Sequence, residues 1–261
     1  MKKLILTLFT FFGALTFSMA QTTLIIIGTA HERTSHFNSD TLLQTLKKIK
    51  PDVILQELDS ALMDIQGNYK GRATFDKGNE HVASVAYKDI NPKVVFRRFD
   101  IEDRSFYYSS HNTFAMENKL SNSVDSLYRK NLLAKYDMQI ISALYNVNAA
   151  VNIVSDMDVR MFNSAEFMNL AAFKQYWMYD KQLEVIANTP DLRKYYDFYK
   201  DDGDFWVRRN KAMINNITAY LKEFKGKKIV VLTGAMHKYF LTAGLEPLQD
   251  KLDFELTALP E

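Results

Sequence analysis

Four short apolar runs divide the chain into strands separated by segments of helical periodicity. Each run is nearly continuous rather than alternating in polarity, which is typical of strands buried on both faces of a parallel sheet. The runs are Thr23–Ile27, Val53–Leu55, Val94–Phe99 and Ile229–Leu232. Because helical patterns separate these runs, we expect an α/β fold with a central, mostly parallel sheet flanked by helices.

Three of the helical segments are expected to pack against this sheet. The first covers Asp40–Ile49, with Ser39 as the expected N-cap and Pro51 just past the end. A second covers Glu80–Lys88 and leads into the third strand. A final helix covers Asp204–Phe224, is opened by the DDGD cluster, and feeds the last strand.

A long aromatic stretch lies between the third strand and the final helix. From about residue 105 to 200 the periodicity is mostly helical, with weak breaks at Asn163-Ser164 and Thr189-Pro190. It predicts a large helical insertion over one side of the sheet, whose tyrosines and tryptophans pack in cores. Residues 21–261 are therefore expected to form a single domain.

The first twenty residues have the composition of a targeting segment. Lys2 and Lys3 precede an apolar run that ends in Ser18-Met19-Ala20. The run Leu4–Phe17 is shorter than the roughly 20 residues that span a bilayer, which favours a signal peptide cleaved before Gln21 over a membrane anchor. We therefore expect a periplasmic or secreted protein without stable membrane insertion.

Charge and cysteine content narrow the chemistry of the mature chain. Without Lys2 and Lys3, the 33 Lys and Arg residues fall to 31, which balances the 31 Asp and Glu residues. A chain of near-zero net charge is not expected to bind nucleic acid. The chain has no cysteine, so any metal ligands must be His, Asp or Glu. The oligomeric state is not determined by the sequence.

Candidate reactive residues follow the predicted strands. In a parallel sheet the carboxyl ends of the strands lie at one edge, where ligands bind, and helices that precede a strand begin there. The residues expected at this edge are Gly28, His31, Gln56, Glu57, Asp59, Glu80, Asp100, Arg208, Arg209, Asn210, Gly234 and His237. Both histidines occur three residues after a glycine, in GTAH and GAMH.

These residue types favour hydrolysis. Two imidazoles, His31 and His237, with one or two carboxylates can bind a divalent cation, or can activate water without a metal. A nearby arginine, Arg209, would pair with a substrate carboxylate or a developing oxyanion. The structural alternatives stay open, namely that Glu57 is a capped or salt-bridged carboxylate, that Glu80 merely favours a helix N-terminus, or that Arg209 pairs with Asp201, Asp202 or Asp204.

Five sequence blocks resemble the TraB/PrgY/GumN group, which includes the Tiki metalloproteases and is distantly similar to the ChaN and erythromycin-esterase folds. The blocks are GTAHERTSHFNSD at 28–40, KPDVILQELD at 50–59, EHVASVA at 80–86, RRNKAM at 208–213 and LTGAMH at 232–237. The resemblance implies an active-site set of His31, His237, Glu57 and Arg209, with Glu80 as the helix-start glutamate.

The same resemblance implies metal-dependent hydrolysis of peptide bonds. His31, His237 and Glu57 would hold manganese, cobalt or zinc, and Glu80 would be a second ligand or general base. Two departures bear on the substrate: SALMD follows ELD where the family often has an arginine, and RRFDIEDR stands where it often has an Asp-Arg pair.

Two other classes of function remain open. The ChaN-like relatives imply binding of haem or another small ligand, for which RKYYDFYK at 193–200 could supply a tyrosine ligand. A fold that has lost catalysis and serves interaction is the third reading. We take an exported hydrolase acting on a peptide or small-molecule substrate as the working hypothesis.

Overall fold

The computed structural model describes residues 21–70 and 78–260, and its centre is a five-stranded parallel sheet. The strands are β1 (Thr22–Thr29), β2 (Val53–Gln56), β3 (Val95–Arg98), β4 (Lys228–Gly234) and β5 (Phe254–Thr257). Their order across the sheet is β3-β2-β4-β1-β5, and every neighbouring pair is parallel. The prediction of an α/β fold with a central parallel sheet flanked by helices is confirmed.

Helices cover both faces of this sheet and form a separate layer beside it. They are α1 (Ser39–Ile49), α2 (Asn79–Ile90), α3 (Arg104–Ser110), α4 (Thr113–Arg129), α5 (Lys135–Ser155), α6 (Val159–Phe162), α7 (Ala165–Gln175), α8 (Gln182–Asn188), α9 (Tyr196–Glu223), α10 (Ala235–Leu245) and α11 (Gln249–Leu252). A π-helical turn, Tyr176–Lys181, joins α7 to α8.

The apolar strands divide their side chains between two cores. In β1, Ile25 and Ile27 face a core shared with α1, α2, α5 and α7, whereas Leu24 and Ile26 face a core shared with α9 and α10. Because both faces are covered, the strand runs need no polar alternation. A third apolar cluster lies among α4, α5, α8 and the start of α9.

The structure corrects the predicted helix boundaries. The N-cap of α1 is Asn38 rather than Ser39, because its side chain accepts hydrogen bonds from the backbone of Asp40 and Thr41. Helix α9 begins at Tyr196, so the DDGD cluster lies inside the helix instead of opening it. Gly203 lies inside the helix against the Tyr179 ring, and a Cβ atom at this position would lie only 3.1 Å from that ring. The absence of a side chain therefore leaves room for Tyr179.

The predicted helical insertion is present as α3 to α8, and α9 runs from it to the sheet without a break. Strand β5 was missed by the sequence analysis because it is a four-residue edge strand with one buried residue, Phe254. Within the described ranges no helix combines the length and apolarity needed to cross a membrane. The predicted signal peptide, residues 1–20, lies outside the described residues.

Candidate active site

The strand order brings the two histidine motifs and the glutamate motif together. Strand β4 lies between β2 and β1, so the residues that follow these three strands are neighbours at the carboxyl edge. Gly234 makes the approach close, because a Cβ atom there would lie 3.1 Å from His31 Nε2 and 3.6 Å from Glu57 Oε2. A glycine at this turn therefore allows His31 and Glu57 to lie against the same backbone atoms.

Glu57 is the buried carboxylate of the site, with its side chain 6% exposed. Its Oε2 accepts hydrogen bonds from the Gly234 backbone at 2.7 Å and the Thr233 hydroxyl at 2.8 Å, and its Oε1 pairs with Arg209. Burial opposes ionisation, but the charges of Arg209 and His31 and the Gly234 hydrogen bond outweigh it and hold the pKa of Glu57 below its usual range. Glu57 is therefore an ion held in place by protein donors.

His237 lies in the first turn of α10 and is 4% exposed. Its Nδ1 donates to the Asn210 side-chain oxygen at 2.8 Å, since the Asn210 amide group donates to the Trp206 carbonyl. The Trp206 ring stacks on the imidazole at 4.1 Å. Burial lowers the pKa of His237 to about 3, which leaves a neutral ring whose Nε2 lies 3.7 Å from Glu57 Oε1.

His31 lies in the loop after β1, and its side chain is 64% exposed. Its Nδ1 donates to Glu80 Oε1 at 2.8 Å, and the Thr29 hydroxyl contacts the same carboxylate oxygen. The hydrogen bond to Glu80 raises the pKa of His31 to about 9. Glu80 lies in the first turn of α2, as predicted, and here it orients and charges the imidazole.

Arg209 is buried, and its main partners are carboxylates of the protein. Its guanidinium donates to both oxygens of Asp100, at 2.8 and 2.9 Å, and to Glu57. The alternative that it pairs with Asp201, Asp202 or Asp204 is wrong, because α9 turns Arg209 towards the sheet edge. Burial opposes its charge, but Glu57 and Asp100 more than offset this and raise the pKa of Arg209 further.

Arg104, at the start of α3, belongs to the site and was missed by the sequence analysis. It pairs with Asp100 Oδ2 at 2.8 Å and approaches Glu57 Oε1 at 4.0 Å. The sequence RRFDIEDR, read above as a departure from the family pattern, therefore does form an Asp-Arg pair here, four residues apart. The feature of the sequence that could have identified Arg104 is its position four residues after Asp100, which lets its guanidinium reach the carboxylate at the end of β3.

Two cavities open on the site. One has a volume of about 520 Å³ and the other about 640 Å³, and both are lined by His31, Glu57 and Arg104. The larger one also contacts Tyr108 and Arg209. The charged cluster therefore lies where the two cavities meet.

The donor chemistry of this cluster fits a divalent cation. Each histidine donates its Nδ1 hydrogen to a protein oxygen, which fixes the ring and leaves Nε2 as the ligand atom. The 3.7 Å between His237 Nε2 and Glu57 Oε1 suits two ligands that each lie about 2 Å from one ion. Within the described part of the chain, no three His, Asp or Glu side chains are already gathered at coordinating distance.

Two predicted packing regions differ in their relation to the site. Trp206, interpreted from sequence as a packing residue, forms the wall behind His237. In the tyrosine-rich stretch, Tyr195 is buried in the cluster of α4, α5 and α8. The Tyr199 hydroxyl donates to the Met178 carbonyl. Those two tyrosines therefore serve the helical layer in this structure.

Comparison with known proteins returns no match to a family model, a curated protein or a solved structure. The resemblance to the TraB/PrgY/GumN group therefore stays a prediction based on the five sequence blocks.

Proposed function

We propose that the protein is an exported, divalent-metal-dependent hydrolase of the TraB/Tiki type that acts on peptide bonds. The observation that supports this most strongly is the meeting of His31 and His237 at the buried, ionised Glu57. Both imidazoles are held through Nδ1 by protein oxygens, an arrangement typical of rings whose other nitrogen binds a metal or moves a proton.

In this proposal His31, His237 and Glu57 are the residues that would hold manganese, cobalt or zinc. Such an ion supplies Lewis acidity, which polarises a carbonyl group and acidifies water at neutral pH. Glu80 and Asn210 orient the two rings. Because His31 is protonated in the structure at neutral pH, binding of the ion releases one proton from it.

The arginines have different roles in the proposal. Arg209 pairs with Asp100 and Glu57, so it neutralises them and positions Glu57, and it also lines the larger cavity beside Tyr108. Arg104 has a side chain that is 17% exposed and lines both cavities. It is therefore the guanidinium that pairs with a substrate carboxylate or with the oxyanion that develops at the scissile carbonyl.

A metal-free hydrolase is the second mechanism, and the separation of the two histidine pKa values favours it. With His31 protonated and His237 neutral near pH 7, one ring could donate a proton to the leaving amine. The other could accept one from water. The same residues would then act as an acid and base pair without a cation.

The test is turnover of a mixed peptide library by residues 21–261, before and after treatment with a chelator and with manganese, cobalt or zinc restored singly. We expect cleavage that a chelator abolishes and one of these ions restores. Cleavage insensitive to chelator, with no metal by elemental analysis, selects the metal-free mechanism. Absence of cleavage with every ion contradicts the hydrolase, and an absorbance band on adding haem would then favour ligand binding.

A further inference from the structure

The helical layer contains a cavity of its own, with a volume of about 300 Å³. It lies among α4, α5, α8 and the start of α9, beside the third apolar cluster. No described residue that lines it also lines either cavity of the candidate active site. One wall is aliphatic and is formed by Leu120, Val124, Ile141 and Leu144. The cavity is therefore a separate concave surface, and this wall suits an apolar group.

Two carboxylates without a cationic partner line the same cavity. Asp202 of α9 is 5% exposed, and Glu117 of α4 lies near it. Within the described part of the chain, neither carboxylate forms an ion pair with a lysine, arginine or histidine. Burial, with a smaller contribution from Asp201, raises the pKa of Asp202 to about 6. Buried carboxylates normally have a cationic partner, whereas the described protein gives Asp202 only the Tyr179 hydroxyl.

An amide oxygen of the cavity lining also lacks a donor. The Tyr199 hydroxyl donates its single hydrogen to the Met178 carbonyl at 2.5 Å. Its contact with the Gln182 amide at 3.1 Å is therefore satisfied when the amide nitrogen donates to the hydroxyl oxygen. The Gln182 oxygen is then left without a donor among the described residues, in a side chain that is 9% exposed and lines the cavity. The sealed, unpaired atoms include neither this amide nor Asp202, so a ligand can reach both.

The backbone around the cavity departs from regular helix in two places. Tyr179, which lines the cavity, belongs to the π-helical turn Tyr176–Lys181, and such turns are frequent at functional sites. Gly203 lies inside α9, where glycine is less favourable than alanine. Its missing side chain leaves room for the Tyr179 ring. Both departures place Tyr179 beside Asp202, as expected where a binding site determines the local sequence.

The lining selects an organic ammonium ion. Asp202, Glu117 and the Gln182 oxygen are all acceptors, and an ammonium group has only donors. Charge-assisted hydrogen bonds to a carboxylate are stronger than neutral ones. The rings of Tyr145 and Tyr199 also line the cavity and favour a cation over an anion. The aliphatic wall suits a hydrocarbon stem, whereas it offers no ligand atoms to a metal ion.

We propose that the 300 Å³ cavity of the helical layer binds an organic ammonium ion with an apolar stem, held by Asp202, Glu117 and the Gln182 oxygen. This site does not depend on the proposed hydrolysis, because it shares no lining residue with the cavities of the candidate active site. Helix α9 joins the two sites, since it carries both Asp202 and Arg209.

The experiment measures calorimetric binding of hexylamine, hexan-1-ol and hexanoate, which share one stem and differ in charge. It is performed above pH 7, where Asp202, with a pKa of about 6, is ionised. Hexylammonium should bind at least about 10-fold more tightly than hexan-1-ol, and hexanoate should bind most weakly. Equal affinity for the amine and the alcohol, or no binding of hexylamine up to about 10 mM, would overturn the proposal.

Asp202→Asn removes the buried charge and keeps the shape of the side chain. In this variant the preference for hexylammonium over hexan-1-ol should fall to within about 3-fold. Asp197→Asn makes the same change at an exposed position of the same helix and should keep the native preference. An unchanged preference in Asp202→Asn would show that the amine binds elsewhere.

A second variant separates loss of binding from loss of folding. Asp202→Asn should keep or raise the melting temperature, because it removes a buried carboxylate that repels Glu117. If it does not fold, Glu117→Gln on α4 should itself lower the preference several-fold, and an unchanged preference there also contradicts the site. Because no peptide is present, amine binding is decided separately from whether the protein cleaves peptides.

Discussion

The two G-x-x-H segments share a sequence pattern and have opposite environments. GTAH leads from β1 into a loop, where His31 is exposed, bonded to a carboxylate and of raised pKa. GAMH opens α10, where His237 is buried, bonded to an amide oxygen and of lowered pKa. The motif thus places an imidazole at the sheet edge, while the packing of the ring and its hydrogen-bond partner determine its charge.

The largest expected effect is the loss of peptide cleavage when either His31 or His237 is removed. His31→Ala and His237→Ala should each lower kcat/KM by about 1000-fold or more on a cleaved peptide, because each removes an imidazole nitrogen from the reacting region. The free energies of unfolding should differ. His237→Ala should lose about 2 kcal/mol through the cavity beside Trp206, and His31→Ala should lose little. Equal losses of stability would contradict the difference in packing.

Arg209 tests the charge balance that both histidines experience. Arg209→Ala should cost about 3–5 kcal/mol in denaturant unfolding, because Glu57 and Asp100 would lose their buried partner. Arg104→Ala should cost less, since this residue is partly exposed and Arg209 still pairs with Asp100. If Arg209→Ala has the same free energy of unfolding as the native protein, Arg209 does not stabilise the buried carboxylates of Glu57 and Asp100.

Acid unfolding should reveal the neutral state of His237. Its pKa is about 3 in the folded protein and near 6.5 when unfolded, so the unfolded state binds more protons between these values. Stability should therefore fall by about 3 kcal/mol from pH 7 to pH 4 on account of this residue. His237→Asn should lack that part of the slope, as measured by urea unfolding across this range, and an unchanged slope would contradict a buried neutral ring.

His31 should contribute the smallest effect, and with the opposite sign. Because its pKa is raised to about 9, its contribution is complete below pH 6.5 and is lost as the pH rises through 9. The exposure of the ring screens the interaction, so the slope should be small. Titration of the imidazole by NMR measures the shift directly, and Glu80→Gln should return the pKa towards 6.5. No change in Glu80→Gln would show that this carboxylate does not charge the ring.

Local patterns were sufficient to predict much of the fold and the members of the site. The apolar runs located four of the five strands, and the glycine offsets located His31 and His237 at the carboxyl edge. Arg104 and the pairing of Arg209 with Asp100 were not predicted, because these contacts join α3, α9 and β3 through distances that no local pattern records. Strand β5 was missed because a strand with a single buried residue shows no periodic pattern of apolar positions.

Local sequence was sufficient to predict which residues leave the sheet at its carboxyl edge, since strand runs and the turns after them are local features. The tertiary structure alone decided that β4 lies between β2 and β1, which brings Glu57 next to both histidines. It also decided their charges, because burial under Trp206 makes His237 neutral while Glu80 keeps His31 protonated. Burial and hydrogen-bond partners depend on residues distant in the chain. The protonation of the histidines in the two G-x-x-H segments is therefore determined by the tertiary structure.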